Sequence, residues 1–392
     1  MKDVDRNLEP RLTNVLFSKA SQKRVPLSGT FELSPVCNFS CEMCYVRKSV
    51  DEVRNHERKI LTKNQWLEIA RQAKSEGMLY LLLTGGEPFL WEGFWDLYEE
   101  LSHMGFLISI NSNGSLIDEK VVQKLKDIPP TRINITLYGA SDDTYENLCH
   151  TRGVFSKVDE AITKLQQAGI AVKLNGSLTP ANVNDLEKCV DYAKKKGLIY
   201  ETNTYMFPPV RREPDAIGCN ERFTPKEAAY YNAKSYRAIY GEELYWKRME
   251  AIVQGAIPPP GLDESCVDPI DGRIRCRAGK ASFWITWDGW MTPCGMMPEP
   301  KIDITKGTFQ DNWKLLTEVS GKLNVSGICV KCPNQKLCHS CAAMALTETG
   351  STEKIPTYLC EMVKEMKYHA VRELSAKKER ISKGGKKENE KA

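Results

Sequence analysis

Residues 78–88 read MLYLLLTGGEP, a continuous apolar run followed at once by two glycines, a glutamate and a proline. A run of this kind is typical of a strand that is buried on both faces of a parallel sheet. Five further segments have strand character, and amphipathic helices lie between them. The six candidate strands are 29–35, 78–84, 106–112, 132–138, 170–176 and 199–205. This alternation predicts an α/β fold of parallel β/α units, as a sheet or a full or partial barrel, with the active site at the carboxyl ends of the strands.

Two of the intervening helices have clear start and stop signals. Thr62 and Gln65 predict a capping box, and Gly77 predicts the end of the same helix. Asn182 and Gly197 are the corresponding start and stop signals of a later helix with an apolar stripe. We therefore expect helices that pack one apolar face on the sheet.

The composition narrows the class of protein. The chain has 392 residues, of which 41% are hydrophobic and 27% are charged, so we expect a sizeable core and not a disordered chain. Its 55 basic and 51 acidic residues are too balanced to indicate a nucleic-acid partner. The longest strongly apolar run, 78–83, is far shorter than the roughly 20 residues that span a bilayer. With no signal peptide at the N-terminus, the sequence predicts a soluble, cytoplasmic protein with no membrane partner.

Fourteen cysteines are the most informative residues. In a cytosolic protein they indicate metal or redox chemistry more than disulfides. Three of them, Cys37, Cys41 and Cys44, lie in one loop directly after the first candidate strand. That loop suits a zinc ion with His56 as the fourth ligand, or an iron–sulfur cluster that keeps one iron open.

The turn after the second strand lies at the same predicted edge. Gly85 and Gly86 allow the backbone to approach a ligand closely. Glu87 offers a carboxylate that is suited to an ammonium group.

The two motifs together resemble the radical S-adenosylmethionine (SAM) family. The resemblance rests on CNFSCEMCY (37–45) and GGEP (85–88), and it covers most of residues 29–205. It implies a partial (β/α)6, TIM-like barrel in which Cys37, Cys41 and Cys44 hold a [4Fe-4S] cluster with an open iron site. That iron would bind SAM, and one electron would cleave SAM to a 5′-deoxyadenosyl radical that abstracts a substrate hydrogen.

The same resemblance implies further contacts to SAM. Asn111 and Ser112 match the segment that contacts the ribose, and Thr136 and Arg152 match residues near the SAM carboxylate. Tyr45 matches the aromatic residue that follows the last cysteine of the motif. Each of these side chains also suits a turn or a structural hydrogen bond.

The C-terminal cysteines resemble the SPASM domain, which carries auxiliary clusters in peptide-modifying radical SAM enzymes. The resemblance implies that Cys276, Cys294 and Cys341 hold one auxiliary [4Fe-4S] cluster, with Cys266 as its fourth ligand. It implies a second auxiliary [4Fe-4S] cluster on Cys329, Cys332, Cys338 and Cys360. The spacing of Cys338 and Cys341 is one residue shorter than is common in the family. Zinc ribbons are the structural alternative, and without Cys266 the first cluster would have an open iron.

These features divide the chain into five predicted regions. They are an N-terminal extension (1–28), the radical SAM partial barrel (29–222), a helical connection (223–262), a small SPASM domain (263–372) and a charged flexible tail (373–392). The segment GAIPPPG (255–261) is the clearest boundary signal.

The leading functional prediction is an oxidoreductase that matures a ribosomally synthesised peptide, by a thioether or carbon–carbon crosslink or by side-chain oxidation. The resemblance implies a peptide or protein substrate and an electron donor such as flavodoxin or ferredoxin. Residues 1–28 are too short for a leader-recognition domain, so we expect leader recognition from a separate leader-peptide-binding protein or from the cleft between the barrel and the SPASM domain. An anaerobic sulfatase-maturing, formylglycine-generating enzyme ranks lower, because Gly295 stands where those enzymes carry an acidic residue. Two further hypotheses are a small-molecule radical SAM dehydrogenase and a non-catalytic metal scaffold or electron carrier.

Overall fold

Six parallel strands stand side by side in the order of the sequence. The computed structural model describes residues 12–255, 274 and 276–389, with side chains up to residue 380. The strands are β1 (Ser28–Glu32), β2 (Tyr80–Thr84), β3 (Leu107–Ser112), β4 (Arg132–Thr136), β5 (Val172–Ser177) and β6 (Ile199–Asn203). Each overlaps its predicted segment, and β1 and β6 are not neighbours in the sheet. The fold is therefore α/β with an open, partial barrel, as predicted.

Helices connect the strands and flank the sheet. They are α1 (Leu12–Lys23), α2 (Val50–Asn55), α3 (Lys63–Ser75), α4 (Phe94–His103), α5 (Glu119–Asp127), α6 (Asp142–Cys149), α7 (Phe155–Gln167), α8 (Leu186–Lys196), α9 (Pro225–Val253), α10 (Phe309–Gly321), α11 (Gly327–Val330), α12 (Ala342–Thr349) and α13 (Thr357–Asn389). No helix in the described ranges is both long enough and apolar enough to cross a bilayer.

The predicted helix signals are confirmed with one exception. Thr62 and Gln65 form the capping box of α3, and Gly197 ends α8 in the left-handed conformation. Asn182 does not cap α8, which begins at Leu186 after a short 3-10 turn. Its side chain instead donates to the Tyr138 carbonyl at 2.9 Å and so ties the end of the β5 segment to that of β4.

The two faces of the parallel strands differ in polarity. Phe31, Leu83, Ile110, Ile135 and Leu174 lie on the face that packs under the helices, and each has no exposed surface. The opposite face carries Glu32, Thr84, Asn111, Asn134 and Asn175, which neighbouring strands hold in register. We call this second face the inner face; its polarity is typical of a binding cavity and not of an apolar core.

A C-terminal hairpin continues the same sheet. Strands β7 (Ser282–Ile285), β8 (Trp290–Thr292) and β9 (Ile302–Asp303) extend it beyond β1, to which β7 is parallel. The cysteine-rich segment that follows contains α11 and α12. α13 then packs along α9, which has a break at Gly241.

The segment predicted as a flexible tail, 373–392, is helical up to Asn389. Residues 376–380 of this helix, AKKER, all favour helix. Its Glu373 accepts a hydrogen bond from Tyr245 at 3.2 Å, and the Lys377 ammonium lies 4.4 Å from the Trp246 ring centre. The start of the predicted tail is thus part of the helix pair with α9.

Candidate active site at the carboxyl edge of the sheet

The three-cysteine loop and the Gly-Gly-Glu turn are in direct backbone contact. The Gly86 amide donates to the Ser34 carbonyl at 2.7 Å, and the Glu87 amide donates to the Val36 carbonyl at 3.0 Å. A Cβ on Gly85 would lie 2.4 Å from the Ser34 oxygen, and one on Gly86 would lie 2.3 Å from the Val36 oxygen. Both glycines are therefore required by the approach of the chain that leads into Cys37.

The thiols of this loop lie in surroundings that suit metal-bound thiolates. Backbone amides of Phe39 and Arg47 donate to the sulfurs of Cys37 and Cys44, each at 3.3 Å. Burial raises the pKa of Cys37 to about 12 and also raises the pKa of Cys44. A bound cation would offset that burial and keep the thiolate, to which the amides already donate. The loop thus fits an iron–sulfur cluster.

Cys149, to which the sequence assigned no role, lies against this loop. The Ser40 amide donates to the Cys149 carbonyl at 3.0 Å. The Cys149 thiol and the Tyr138 hydroxyl donate to Cys41 and lower its pKa. No signal in the sequence indicated this contact, because Cys149 is not spaced like a ligand of any cysteine motif. Only the folding of α6 brings it beside Cys41.

His56, the candidate zinc ligand, has other neighbours. Its Nδ1 lies 3.2 Å from the Arg58 carbonyl oxygen, and its ring packs edge-on against Trp287 at 4.9 Å. Over the described residues, no three His, Cys, Asp or Glu side chains are grouped so as to hold a single metal ion.

Glu87 reaches the predicted edge, but the chain's own donors occupy its carboxylate. The Ser112 hydroxyl donates to it at 3.0 Å, and the Asn113 and Phe89 amides donate at 2.8 and 3.3 Å. The side chain has no exposed surface, and burial raises its pKa to about 7. In this arrangement Glu87 fixes the turn after β3 and does not offer a free carboxylate to an ammonium group.

Asn113 belongs to NSNG (111–114), the segment whose resemblance implies ribose contact, and it connects the β3 turn to the cysteine loop. Its amide nitrogen lies 2.9 Å from Asn38 Oδ1 and 3.7 Å from Cys37 Sγ. A hydrogen bond to a ligating sulfur tunes an iron–sulfur centre, so this contact is relevant to the chemistry of the loop. In the sequence, the signal for a role of Asn113 was its position in NSNG, beside the predicted Asn111 and Ser112.

The inner face contains two of the predicted contact residues. Asn111 accepts a hydrogen bond from the Asn134 amide at 2.8 Å, and Thr136 is half-buried two residues further along β4. Asn134 Oδ1 is buried without a hydrogen-bond partner among the described residues. A buried acceptor without a donor indicates a place where a ligand hydroxyl or amine fits.

Arg152 does not lie at this face. Its side chain is 84% exposed and pairs with Glu146 at 2.5 Å. The structure therefore does not support its predicted contact with the SAM carboxylate. A surface ion pair on the loop after α6 accounts for its position.

A buried ion pair joins β1 to the C-terminal hairpin. Arg211 donates to both oxygens of Glu32, at 2.8 and 3.0 Å, and to the Gly295 carbonyl at 2.8 Å. The Trp284 indole also donates to Glu32, at 2.9 Å. Half-buried Tyr45 lies with its ring centre 5.6 Å from the Arg211 guanidinium. This network holds the residue after Cys44 beside the residue after Cys294.

The C-terminal cysteines form two groups. Cys276, Cys294 and Cys341 pack against a buried apolar cluster. Burial, with Cys276 and Cys294 nearby, raises the pKa of Cys341 to about 12. Amides of Met296 and Met344 donate to the sulfurs of Cys294 and Cys341, each at 3.5 Å. These donors again suit metal-bound thiolates.

The second group consists of Cys329, Cys332, Cys338 and Cys360, each of them half-buried. Burial and the three other thiols of the group raise the pKa of Cys360. Cys266, the predicted fourth ligand of the first group, lies outside the described residues.

Residues 31–193 match the Radical SAM superfamily. The chain is 22% identical over 331 residues to an AdoMet-dependent heme synthase of Methanosarcina barkeri, covering 82% of this chain and 92% of the relative. It is 27% identical over 315 residues to a probable GTP 3′,8-cyclase of Saccharolobus islandicus, covering 78% and 94%.

Two similar solved structures share the fold. SuiB of Streptococcus suis, bound to the precursor peptide SuiA, superposes with a TM-score of 0.62 at 17% identity, covering 91% of this chain and 83% of that one. Native anSMEcpe with bound AdoMet and the Cp18Cys peptide also gives 0.62, at 20% identity, covering 91% and 99%.

Proposed function

We propose, on the premise that residues 31–193 of this chain form a radical SAM domain, that the protein modifies a peptide by abstracting a hydrogen atom from it. The observation that carries the proposal is the packing of the three-cysteine loop on the Gly-Gly-Glu turn. It supports a site in which the three thiols lie at the carboxyl edge of the sheet, beside the polar inner face that would receive the substrate.

In this proposal Cys37, Cys41 and Cys44 hold a [4Fe-4S] cluster with an open iron site. Such a cluster, when bound, supplies the electron that cleaves SAM to a 5′-deoxyadenosyl radical. The protein's part is to hold the cluster and to orient the groups around it. The Phe39 and Arg47 amides stabilise the thiolates, and Asn113 ties Cys37 to the β3 turn.

We assign SAM to the adjoining part of the inner face. Asn111 and Thr136 lie there, and Asn134 Oδ1 is a buried acceptor without a donor. Ser112 acts through Glu87, which it holds, and Tyr45 lies on the side toward the C-terminal cysteines. Because the Glu87 carboxylate already accepts hydrogen bonds, backbone atoms of Gly85 and Gly86 are the contacts we propose for the SAM ammonium group.

The C-terminal part is proposed to be a SPASM domain with two auxiliary [4Fe-4S] clusters. The first would be held by Cys276, Cys294 and Cys341, with Cys266 as the fourth ligand. The second would be held by Cys329, Cys332, Cys338 and Cys360. Two observations support this: Cys341 and Cys360 are each influenced electrostatically by other thiols of their own set, and amides donate to two of the sulfurs in the first set.

The proposed substrate is a ribosomally synthesised peptide, with a thioether, a carbon–carbon crosslink or side-chain oxidation as the outcome. Two solved structures of the same fold hold peptides. An electron donor such as flavodoxin or ferredoxin, and a separate leader-peptide-binding protein, complete the proposed partners. We also propose a cytoplasmic location, because the described cysteines are all free thiols.

Anaerobic reconstitution with iron and sulfide counts tests this proposal. Three cubane clusters predict about 12 irons per chain, falling to about 8 in the Cys37/Cys41/Cys44→Ala variant. The wild type should release 5′-deoxyadenosine on reduction, and the variant should not. Zinc with little iron would contradict the proposal and favour a metal scaffold.

A small-molecule substrate is the second candidate, because the two curated relatives are named for heme synthesis and for GTP cyclisation. Deuterium transfer into 5′-deoxyadenosine from a labelled peptide encoded near this gene would favour the peptide. Failure of every such peptide would favour the small molecule.

Formylglycine generation is disfavoured by the surroundings of Gly295. A Cβ at this position would lie 2.7 Å from the Trp284 ring, so the chain has no room there for an acidic side chain. Formylglycine in a sulfatase-derived peptide would reverse this ranking.

A further inference from the structure

The second group of C-terminal cysteines lies in an exposed stretch of chain. Lys331 and Lys336 are exposed between its members, and Ile328 just before Cys329 is 68% exposed. All three described cysteines of the first group pack against a buried cluster that includes Met297 and Ala343, whereas in the second group Cys338 alone is packed against a buried cluster, that of Leu337. The second group is thus the one that another protein can approach closely.

The charge around this group is one-sided. No Asp or Glu occurs between Glu318 and Glu348, whereas the same stretch contains Lys322, Lys331 and Lys336. On α13, Lys364 lies one turn beyond Cys360 and acts on it electrostatically, and Glu361 is the acidic neighbour. Within the described ranges, no ion pair involves Lys331, Lys336 or Lys364.

We propose that Ile328, Lys331, Lys336 and Lys364 form the docking surface for an acidic, flavodoxin-type one-electron carrier; we call it the basic face. Electron-transfer complexes are small and weak, and opposite charges steer them more than buried area does. An exposed aliphatic side chain among unpaired lysines, next to four thiols, has these properties. The inference rests on the proposed function, since the thiols must hold a cluster for an electron to enter there.

The transfer moves one electron and no proton. A cluster held by Cys329, Cys332, Cys338 and Cys360 would gain one negative charge as the carrier's anionic flavin hydroquinone becomes the neutral semiquinone. The lysines stabilise the encounter between an acidic protein and this site, so added salt should weaken it.

The test uses reconstituted holoenzyme and reduced flavodoxin in an anaerobic stopped-flow instrument. One test variant is the double substitution Lys331→Glu/Lys336→Glu. The other is Lys364→Glu, which lies on α13, outside the segment that carries Cys329, Cys332 and Cys338. The matched control is Lys120→Glu/Lys157→Glu, which reverses two exposed lysines on the barrel helices α5 and α7. Cluster reduction is followed at low and high salt, and 5′-deoxyadenosine is measured with dithionite in place of flavodoxin.

We expect the Lys331→Glu/Lys336→Glu variant to be reduced by flavodoxin about 10-fold more slowly at low salt, with a weaker salt dependence, while the control resembles the wild type. Lys364→Glu should show a smaller loss in the same direction. Iron content and the dithionite reaction should be unchanged in all variants.

Equal rates of cluster reduction by flavodoxin in the test and control variants, with normal 5′-deoxyadenosine formation from dithionite, would overturn the docking surface and leave the proposed function intact. No 5′-deoxyadenosine from wild type with dithionite would overturn both proposals. A loss of peptide affinity with unchanged flavodoxin rates would assign the basic face to the substrate instead, and so overturn the proposal.

Discussion

At the scale of single residues, Glu87 is a carboxylate whose environment opposes its charge. Three donors hold its oxygens, yet burial dominates and raises its pKa to about 7. Sequence spacing placed Glu87 at the correct edge, but it carried no information on which way the side chain turns. The orientation of the side chain depends on the turn after β3, whose Ser112 and Asn113 donate to the carboxylate.

The raised pKa of Glu87 makes stability depend on pH. In the unfolded chain this carboxyl ionises near pH 4.5, whereas in the folded chain it keeps its proton until about pH 7. The folded state therefore binds more protons in this interval, and its free energy of unfolding falls as pH rises, by on the order of 3 kcal/mol from this group. Glu87→Gln should remove that contribution.

The measurement is urea unfolding of metal-free protein at pH 5 and pH 7.5. The difference between these two free energies should be smaller in Glu87→Gln than in wild type. Glu99→Gln, on an exposed face of α4, is the control and should keep the wild-type difference. An identical pH dependence in wild type and Glu87→Gln would contradict the assignment.

Gly295 shows how a neighbour in space can determine a residue type. Its absent side chain leaves room for the Trp284 ring, 2.7 Å from where a Cβ would be. Gly295→Ala should therefore lower the free energy of unfolding by about 1–3 kcal/mol through overpacking. Gly321→Ala is the matched control, because nothing lies within 4 Å of its Cβ position. If thermal melts give the two variants the same change in free energy of unfolding, Trp284 moves aside without cost.

At the scale of elements, the strands were predictable and their inner face was only partly so. Apolar runs located β1 to β6 because the face under the helices is continuous and buried. Of the residues on the inner face, only Asn111 and Thr136 were named from the sequence as candidate contacts. The polar row of Asn111, Asn134 and Asn175 depends on strand register, which no single segment determines.

The contacts made by the end of α13 were not predicted, because a charged, low-complexity segment gives no signal of tertiary contact. Its Leu374 packs with the cluster between α9 and α13, and Glu373 and Lys377 contact Tyr245 and Trp246. A chain that ends at Arg380 should therefore melt like wild type. A chain that ends at Ala370 should lose about 1–2 kcal/mol, mainly from the apolar surface that Leu374 buries. Equal melting temperatures for the two truncations would restore the prediction of a free tail.

At the scale of the whole molecule, the barrel and the cysteine-rich part are joined more closely than the composition suggests. β7 completes the hydrogen bonding of β1, and Arg211 bridges Glu32 to Gly295. Arg222 and Glu348 form a second buried pair across the same boundary. Pairing between segments that are about 250 residues apart along the chain lies beyond local periodicity, so the sequence predicted the barrel and the SPASM domain as separate regions.

The joined sheet has a consequence for fragments of the chain. A fragment of residues 1–255 would keep β1 to β6 but would expose the β1 edge, and Glu32 would lose the Trp284 donor. Open edges of this kind associate with other chains. We expect this fragment to aggregate, whereas the full chain should unfold in one cooperative transition. Size-exclusion chromatography and calorimetry measure the two outcomes, and a soluble, cooperatively folded monomer of 1–255 would show that the barrel is independent of the hairpin that completes its sheet.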